Sequence, residues 1–237
     1  MEQYLEKQLG CLCKSVRPAD AHAVEAAKHH WNEIAKPLYG LGKFEELLVK
    51  IAGVQKTEDI CLNKKAVVVF CADNGVVAEG VTQTDSSVTA VVTENFARGI
   101  ASVNRMASVA GADVIPVDIG VLGEIKEPGV RNCRIANGTK NMRKEPAMSH
   151  EQVLEAIHTG ITLASELKDA GYDLLAVGEM GIGNTTTSSA VASVLLQAPV
   201  ELVTGRGAGL SNTGLEKKIE VIKEAIALHQ PDPEDPL

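Results

Sequence analysis

Two short stretches concentrate residues suited to holding an anion. GEMGIGNTT, residues 178–186, follows the apolar run LLAV and precedes the helical stretch TTSSAVASVLL. Small residues at a strand-to-helix turn let backbone N–H groups point inward, and the start of the helix adds partial positive charge. The stretch is not a Walker loop, because no Gly-Lys-Ser/Thr closes it, nor a dinucleotide fingerprint, because the third glycine is missing. Two readings stand: a phosphate cradle, or a tight turn with Asn184 or Thr185 as helix N-cap.

GRGAG, residues 205–209, repeats the arrangement, coming after the apolar run VELV and before a helix with Leu215, Ile219, Ile222 and Ile226 at helical spacing. In an open parallel sheet both loops would lie outside the carboxyl ends of the strands, where such folds bind ligands. Lys218, near the apolar stripe of that last helix, is a candidate charge partner for a phosphate or else a solvated lysine; for Lys217 the solvated reading is the better one. Glu179 would repel a phosphate, so it accepts from ribose hydroxyls or backbone donors, or is structural. Asp73 and Asp118 end apolar runs and either face a ligand or cap a turn.

Other chemistries find little support. There is no G-x-S-x-G elbow, and surface placement is expected of all the histidines. Cys71, inside an apolar run, reads as a small core residue. The five cysteines are odd in number and include no C-x-x-C pair, which favours reduced thiols and a cytoplasmic protein without a metal cluster. A net charge of -8 argues against nucleic acid and anionic membrane surfaces, and no segment has the length and apolarity of a signal peptide or membrane span. No cofactor is expected.

The elements that must position these residues follow from hydrophobic period. Residues 1–62 read as helices, with Val24, Ala27, Trp31 and Ile34 in one apolar face and Phe44, Leu48 and Ile51 in another, broken at Lys36-Pro37, Gly40 and Gly42. From residue 63 to 230 the runs AVVVFCADNG, ADVIPVDIG, YDLLAVGEMGIGN and VELVTGRGAG read as strands covered on both faces. Between them lie helical stretches with Val88, Val92, Phe96, Ile100 and Val103, and with Leu154, Ile157, Ile161 and Ala164. Ser149 and Gln152 form a capping-box pattern. The expectation is an α/β fold with a doubly wound, mainly parallel sheet. Residues 121–148 form a long connection without apolar period, and 231–237 read as a linker-like tail.

Taken together, ADNGVVAEGV at 72–81, PVDIGV at 116–121, GTKN at 138–141, PAMS at 146–149, GEMGIGNTT and GRGAG resemble the nicotinate-nucleotide:dimethylbenzimidazole phosphoribosyltransferase family, in order and spacing, from residue 66 to 230. The resemblance implies a Rossmann-like sheet, a small helical domain built partly from the N-terminal segment, and a homodimer. It implies transfer of the phosphoribosyl group of nicotinate mononucleotide to 5,6-dimethylbenzimidazole or a related base, giving α-ribazole 5'-phosphate for the cobalamin lower ligand. The nucleotide phosphate would be held by the segment Glu179, Met180, Gly181, Gly183, Asn184 and Thr185, by Gly205 and Gly207, and by Lys218. The base pocket would draw on Asp73 and on the segment from Val81 to Val92, where the family's frequent serine and proline are Thr84 and Asp85, and where Val92 stands for a glutamine of some members.

Members of the family carry their catalytic glutamate in a late R-L-G-E-G-like segment, which nothing up to Leu237 matches. The resemblance thus places that glutamate beyond Leu237 and identifies no catalytic residue within this sequence. Nicotinate leaves readily from a pyridinium-like bond, whereas the incoming benzimidazole must lose its N–H proton, and a positioned base contributes roughly 10²–10⁴-fold. The expectation is therefore a domain fragment or one half of a split enzyme, with a non-catalytic nucleotide-binding module or partner subunit as the rival.

Overall fold

Close helix packing selects small residues for the inner face, and this decides how the N-terminal helices sit. In the computed structural model, which describes residues 2–235, the chain divides into two compact units, Glu6–Asn63 and the remainder. The helices α1 (Glu2–Ser15), α2 (Ala21–Glu33) and α3 (Lys43–Gln55) come first. Asp20 caps α2 by accepting from Ala23 N at 2.8 Å. Ala27, Val49 and Ala52 form the core, with Val24, Trp31 and Ile60 against it. The inner face of α3 is Glu45, Val49, Ala52 and Gly53 rather than the expected Phe44, Leu48 and Ile51, and Phe44 is exposed. A Cβ at Gly53 would lie 2.7 Å from Val24 Cγ2, so the helices touch where side chains are smallest. Buried Glu45 accepts from Lys36 Nζ at 2.9 Å and Leu41 N at 3.0 Å, which together hold its carboxyl below the usual range.

The other unit is built on a parallel sheet. Strands β1 (Lys65–Ala72), β2 (Ala112–Gly120), β3 (Arg131–Asn132) and β4 (Leu174–Met180) lie in the order β3-β2-β1-β4. Lys65 aligns with both Ala112 and Leu174, so β1, β2 and β4 end together near Ala72, Gly120 and Met180. The intervening helices are α4 (Ser87–Ala97), α5 (Ser102–Ala110) and α6 (His150–Asp169), followed after β4 by α7 (Asn184–Leu195), α8 (Val200–Val203) and α9 (Asn212–His229). Val68 and Val117 pack against Leu163 and Leu167 of α6 on one face, while Val69, Cys71 and Val121 pack with Phe96 of α4 on the other. Helices on both faces make the sheet doubly wound, as the continuous apolar runs of β1 and β2 suggested, whereas β4, expected to be covered on both faces as well, lies at the edge and is largely exposed, Leu174 and Val177 included. Burial pushes the Cys71 thiol up to about 11, as suits a core residue.

Several local expectations are overturned. The run VELV is the single helical turn α8, not a strand. Pro199 sets its entry, and hydroxyls take up its carbonyls: Thr204 Oγ1 donates to Val200 O at 2.6 Å and Ser189 Oγ of α7 to Val203 O at 3.0 Å. The stretch from Val88 to Val103 is broken at Gly99, whose φ of +75° ends α4, and Ile100 is exposed in the gap. The buried face of α4 is Thr89, Thr93 and Phe96. In α6 the buried residues are Leu154, Leu163 and Leu167, with Ala164 exposed, because Leu163 and Leu167 are the ones that meet Val68 and Val117 on the sheet face. His158 and His229 are half-buried rather than on the surface, and His229 Nε2 lies 2.7 Å from Met142 O, tying the 121–148 connection to α9. The capping box is present: Gln152 N donates to Ser149 Oγ at 3.2 Å and Ser149 N to Gln152 Oε1 at 2.9 Å. Of the expected tail, Pro236 and Leu237 lie outside the described residues. No described helix is long and apolar enough to cross a membrane.

Candidate functional site

The turn from β4 into α7 is clamped from below. Asn74, just past β1, donates from Nδ2 to Ile182 O at 3.2 Å and accepts at Oδ1 from Thr187 Oγ1 at 2.9 Å. Ile182 N donates to Thr89 Oγ1 at 3.1 Å. Gly183, with φ +91°, is the residue before the helix, so neither Asn184 nor Thr185 is the N-cap. Only glycine takes that backbone conformation easily, and a Cβ there would also lie 2.9 Å from Val77 Cγ2. The Ile182 amide is therefore spent on the protein, while the Gly183 amide finds no internal acceptor among the described residues.

The GRGAG loop converges on the same place. Met180, Gly181, Gly183, Asn184 and Thr185 line a cavity of about 160 Å³ together with Arg206, Gly207, Ala208 and Leu210, and with Val81, Gln83 and Thr84 from the segment before α4. The amides of Gly205, Gly207 and Ala208 also lack internal acceptors among the described residues. The loop is reached through α8 and not from a strand, yet it arrives beside the β4 turn. Gln83 Nε2 donates across the cavity to Gly209 O. Arg206 is tethered to Leu210 O at 2.8 Å and to Asn212 Oδ1 at the start of α9.

Lys218 lies beneath this cavity, fully buried. Its Nζ donates to Thr185 Oγ1 at 2.8 Å and to Gly205 O at 3.1 Å, so it bridges the two glycine loops. No carboxylate pairs with it among the described residues, and burial pushes its pKa down. An unpaired buried cation is costly and favours any anion that reaches it. Glu179 accepts from Asn184 Nδ2, and desolvation raises its carboxyl pKa against the lowering effect of that bond.

The geometry so assembled, two glycine loops around one cavity over a buried lysine, fits a phosphate. The family model described as Phosphoribosyltransferase matches residues 16–237. The chain belongs to the phosphoribosyltransferase family. A nicotinate-nucleotide–dimethylbenzimidazole phosphoribosyltransferase of Ruminiclostridium cellulolyticum is 44% identical over 223 residues, 94% of this chain and 63% of the relative. One of Halalkalibacterium halodurans is 44% identical over 94% of this chain and 62% of the relative. The crystal structure of CobT from Thermus thermophilus superposes with a TM-score of 0.84 at 37% identity, covering 89% of this chain and 63% of that one. The chain thus spans about 63% of the length of these relatives.

Within this member of the family the candidate base residues scatter. Thr84 lines the cavity, but Asp85 is turned to Ser87, accepting from its N at 2.8 Å and from its Oγ. Val92 packs into the core beside Val69 and Phe96. Asp73 is buried, accepts from Leu122 N at 2.8 Å through Oδ2, and leaves Oδ1 without a partner. Asp118 is a turn cap: Oδ1 accepts from Gly120 N and Val121 N, and Oδ2 from Arg134. A larger cavity of about 750 Å³ lies along 122–137, but its Arg134 is committed to Asp118, Gly123 O and Asn137. Asn74, Thr89, Gln83 and Arg206 are positioned around the site without having been singled out from sequence. Only the threonine pair Thr89 and Thr93 carried a signal, their spacing of four placing both on one face of the helix.

Proposed function

We propose that this chain binds nicotinate mononucleotide, with its phosphate in the cavity between the glycine loops, and serves transfer of the phosphoribosyl group to 5,6-dimethylbenzimidazole or a related base. The observation that carries this reading is Lys218, a buried cation joined to both loops and, among the described residues, without a carboxylate partner. Amides and a cation around a small cavity recognise a phosphate monoester, and the relatives' names supply the rest of the ligand. Ligand sites usually reach roughly 300–1,000 Å³. A cavity of about 160 Å³ therefore takes the phosphate end of the nucleotide and leaves C1′ and the pyridine outside it.

In the reaction, a benzimidazole nitrogen forms a bond to C1′ as the C1′–nicotinate bond breaks. Nicotinate departs with the electron pair, and the benzimidazole N–H proton passes to a base. The described residues lining the cavity include no Asp, Glu or His. Since C1′ lies outside that cavity, its lining does not identify the proton acceptor, and the second reading is a nucleotide-binding module that takes part in no transfer by itself. Family membership also carries the expectation of a homodimer and a cytoplasmic setting.

Calorimetry should detect nicotinate mononucleotide and give at least tenfold weaker binding for the unphosphorylated riboside, since a charged hydrogen bond contributes about 1.5–3 kcal/mol. Equal affinity for the two would overturn the phosphate assignment. Chromatography for α-ribazole 5'-phosphate then separates the readings: product from this chain alone excludes the binding-only module, and tight binding without product supports it.

A further inference from the structure

One side chain fastens the segment before α4 to the far wall of the cavity. Residues 82–86 run between Val81, buried with Val76 and Val221, and the first turn of α4, where Asp85 accepts from Ser87 N at 2.8 Å. Gln83, Thr84 and Asp85 are exposed, and among the described residues no backbone hydrogen bond joins 82–84 to another element. Thr82 Oγ1 donates to Thr84 O at 2.8 Å, within the same turn. The donation from Gln83 Nε2 to Gly209 O is therefore the one described hydrogen bond that ties this strap to a segment distant in sequence. The acceptor side is braced: Arg206 O accepts from Gly209 N at 3.2 Å and Leu210 N at 3.1 Å, and Arg206 Nη1 donates to Leu210 O at 2.8 Å. Gly209 holds φ +111°, and a Cβ there would lie 3.5 Å from Gln83 Nε2, so the amide rests against a residue that must be glycine. A strap anchored at its ends and crossed by a single bond opens at low free energy.

We propose that residues 82–86 are a strap that closes over the cavity and that the Gln83–Gly209 bond is its latch, so that ligand enters and leaves only when this bond opens. This rests on the reading that a phosphate occupies the cavity, which Thr82, Gln83 and Thr84 line opposite the two glycine loops. Gln83 then governs the rate of exchange and not the strength of binding. A bond made alike in the free and the bound protein cancels from the affinity, but its opening precedes every entry and every exit and so enters both rate constants.

The test is phosphorus NMR titration with line-shape analysis, using nicotinate mononucleotide and, separately, inorganic phosphate on the parent chain, Gln83→Met and Gln83→Glu. Methionine keeps the length of the side chain without a donor, and glutamate sets a carboxylate against Gly209 O. In both variants the association and dissociation rates are expected to rise together by about three- to tenfold, the factor for one neutral hydrogen bond, with Kd within about twofold of the parent. A side chain that merely shaped the wall or touched the ligand would move Kd and leave the association rate alone. Association rates within about twofold of the parent in both variants, or a Kd at least about tenfold weaker, overturn the latch and leave the nucleotide reading intact. Binding of inorganic phosphate but not of the mononucleotide overturns the nucleotide reading alone, and the latch is then judged on phosphate exchange. Binding of neither probe overturns both.

Discussion

A methyl group at position 181 would fall far inside van der Waals contact distance of the Ala72 carbonyl oxygen and 2.9 Å from Asn74 Nδ2. The first of these is backbone in the central strand and cannot swing aside, so the turn itself must move. Gly181→Ala is expected to cost about 1–3 kcal/mol of stability, the range for overpacking, and to weaken nucleotide binding as the loop shifts. Urea denaturation followed by circular dichroism measures the first, and an unchanged midpoint would show that the turn is looser than its contacts indicate. At this scale the glycines were legible, since small residues between an apolar run and a helix have few other uses. Lys218 was legible as a position but not as a buried group. A lysine in a helix reads as solvated, and its burial depends on Thr185 and Gly205, which belong to other segments.

Helix α6 begins at a reciprocal pair, Ser149 and Gln152, each bonding the other's backbone amide. Ser149→Ala should cost about 1 kcal/mol, and Ser149→Thr should recover most of it, because a hydroxyl at the cap is what satisfies the first turn. Thermal melts of both variants check this; equal melting temperatures for alanine and threonine would remove the cap from the account. Elements with one dominant cause were legible in this way: the cap by its spacing, and β1, β2 and β4 by their unbroken apolar runs. The run VELV was not, because four apolar residues suit a strand or a helical turn equally, and what decides is whether hydroxyls of α7 or a sheet edge receive its carbonyls. The inner face of α4 was hidden for a related reason. Thr89 and Thr93 read as polar, yet Thr93 Oγ1 is satisfied by Thr89 O at 2.7 Å and Thr89 Oγ1 by Ile182 N, which makes both fit for burial.

At the scale of the molecule the two units have cores of different kinds. The sheet unit has clusters on both faces of its central strands, built from valine, leucine, phenylalanine and cysteine. The unit Glu6–Asn63 relies on Ala27, Val49 and Ala52 with a few partly buried neighbours, and it leaves Leu38, Tyr39, Leu41, Phe44 and Leu47 exposed. Alanine contributes little area, and a domain of about 60 residues buries only some 60% of the surface its unfolded chain exposes. The helical unit should therefore open at lower free energy than the sheet unit. Hydrogen exchange on the intact chain is expected to show amides of α2 and α3 exchanging at least about tenfold faster than those of β1. Added nicotinate mononucleotide should slow exchange in the sheet unit alone, because ligand binding stabilises only what opens with its site. Uniform protection across both units, rising together with ligand, would mean that the chain unfolds as one cooperative body and that the small core of the helical unit does not set its stability.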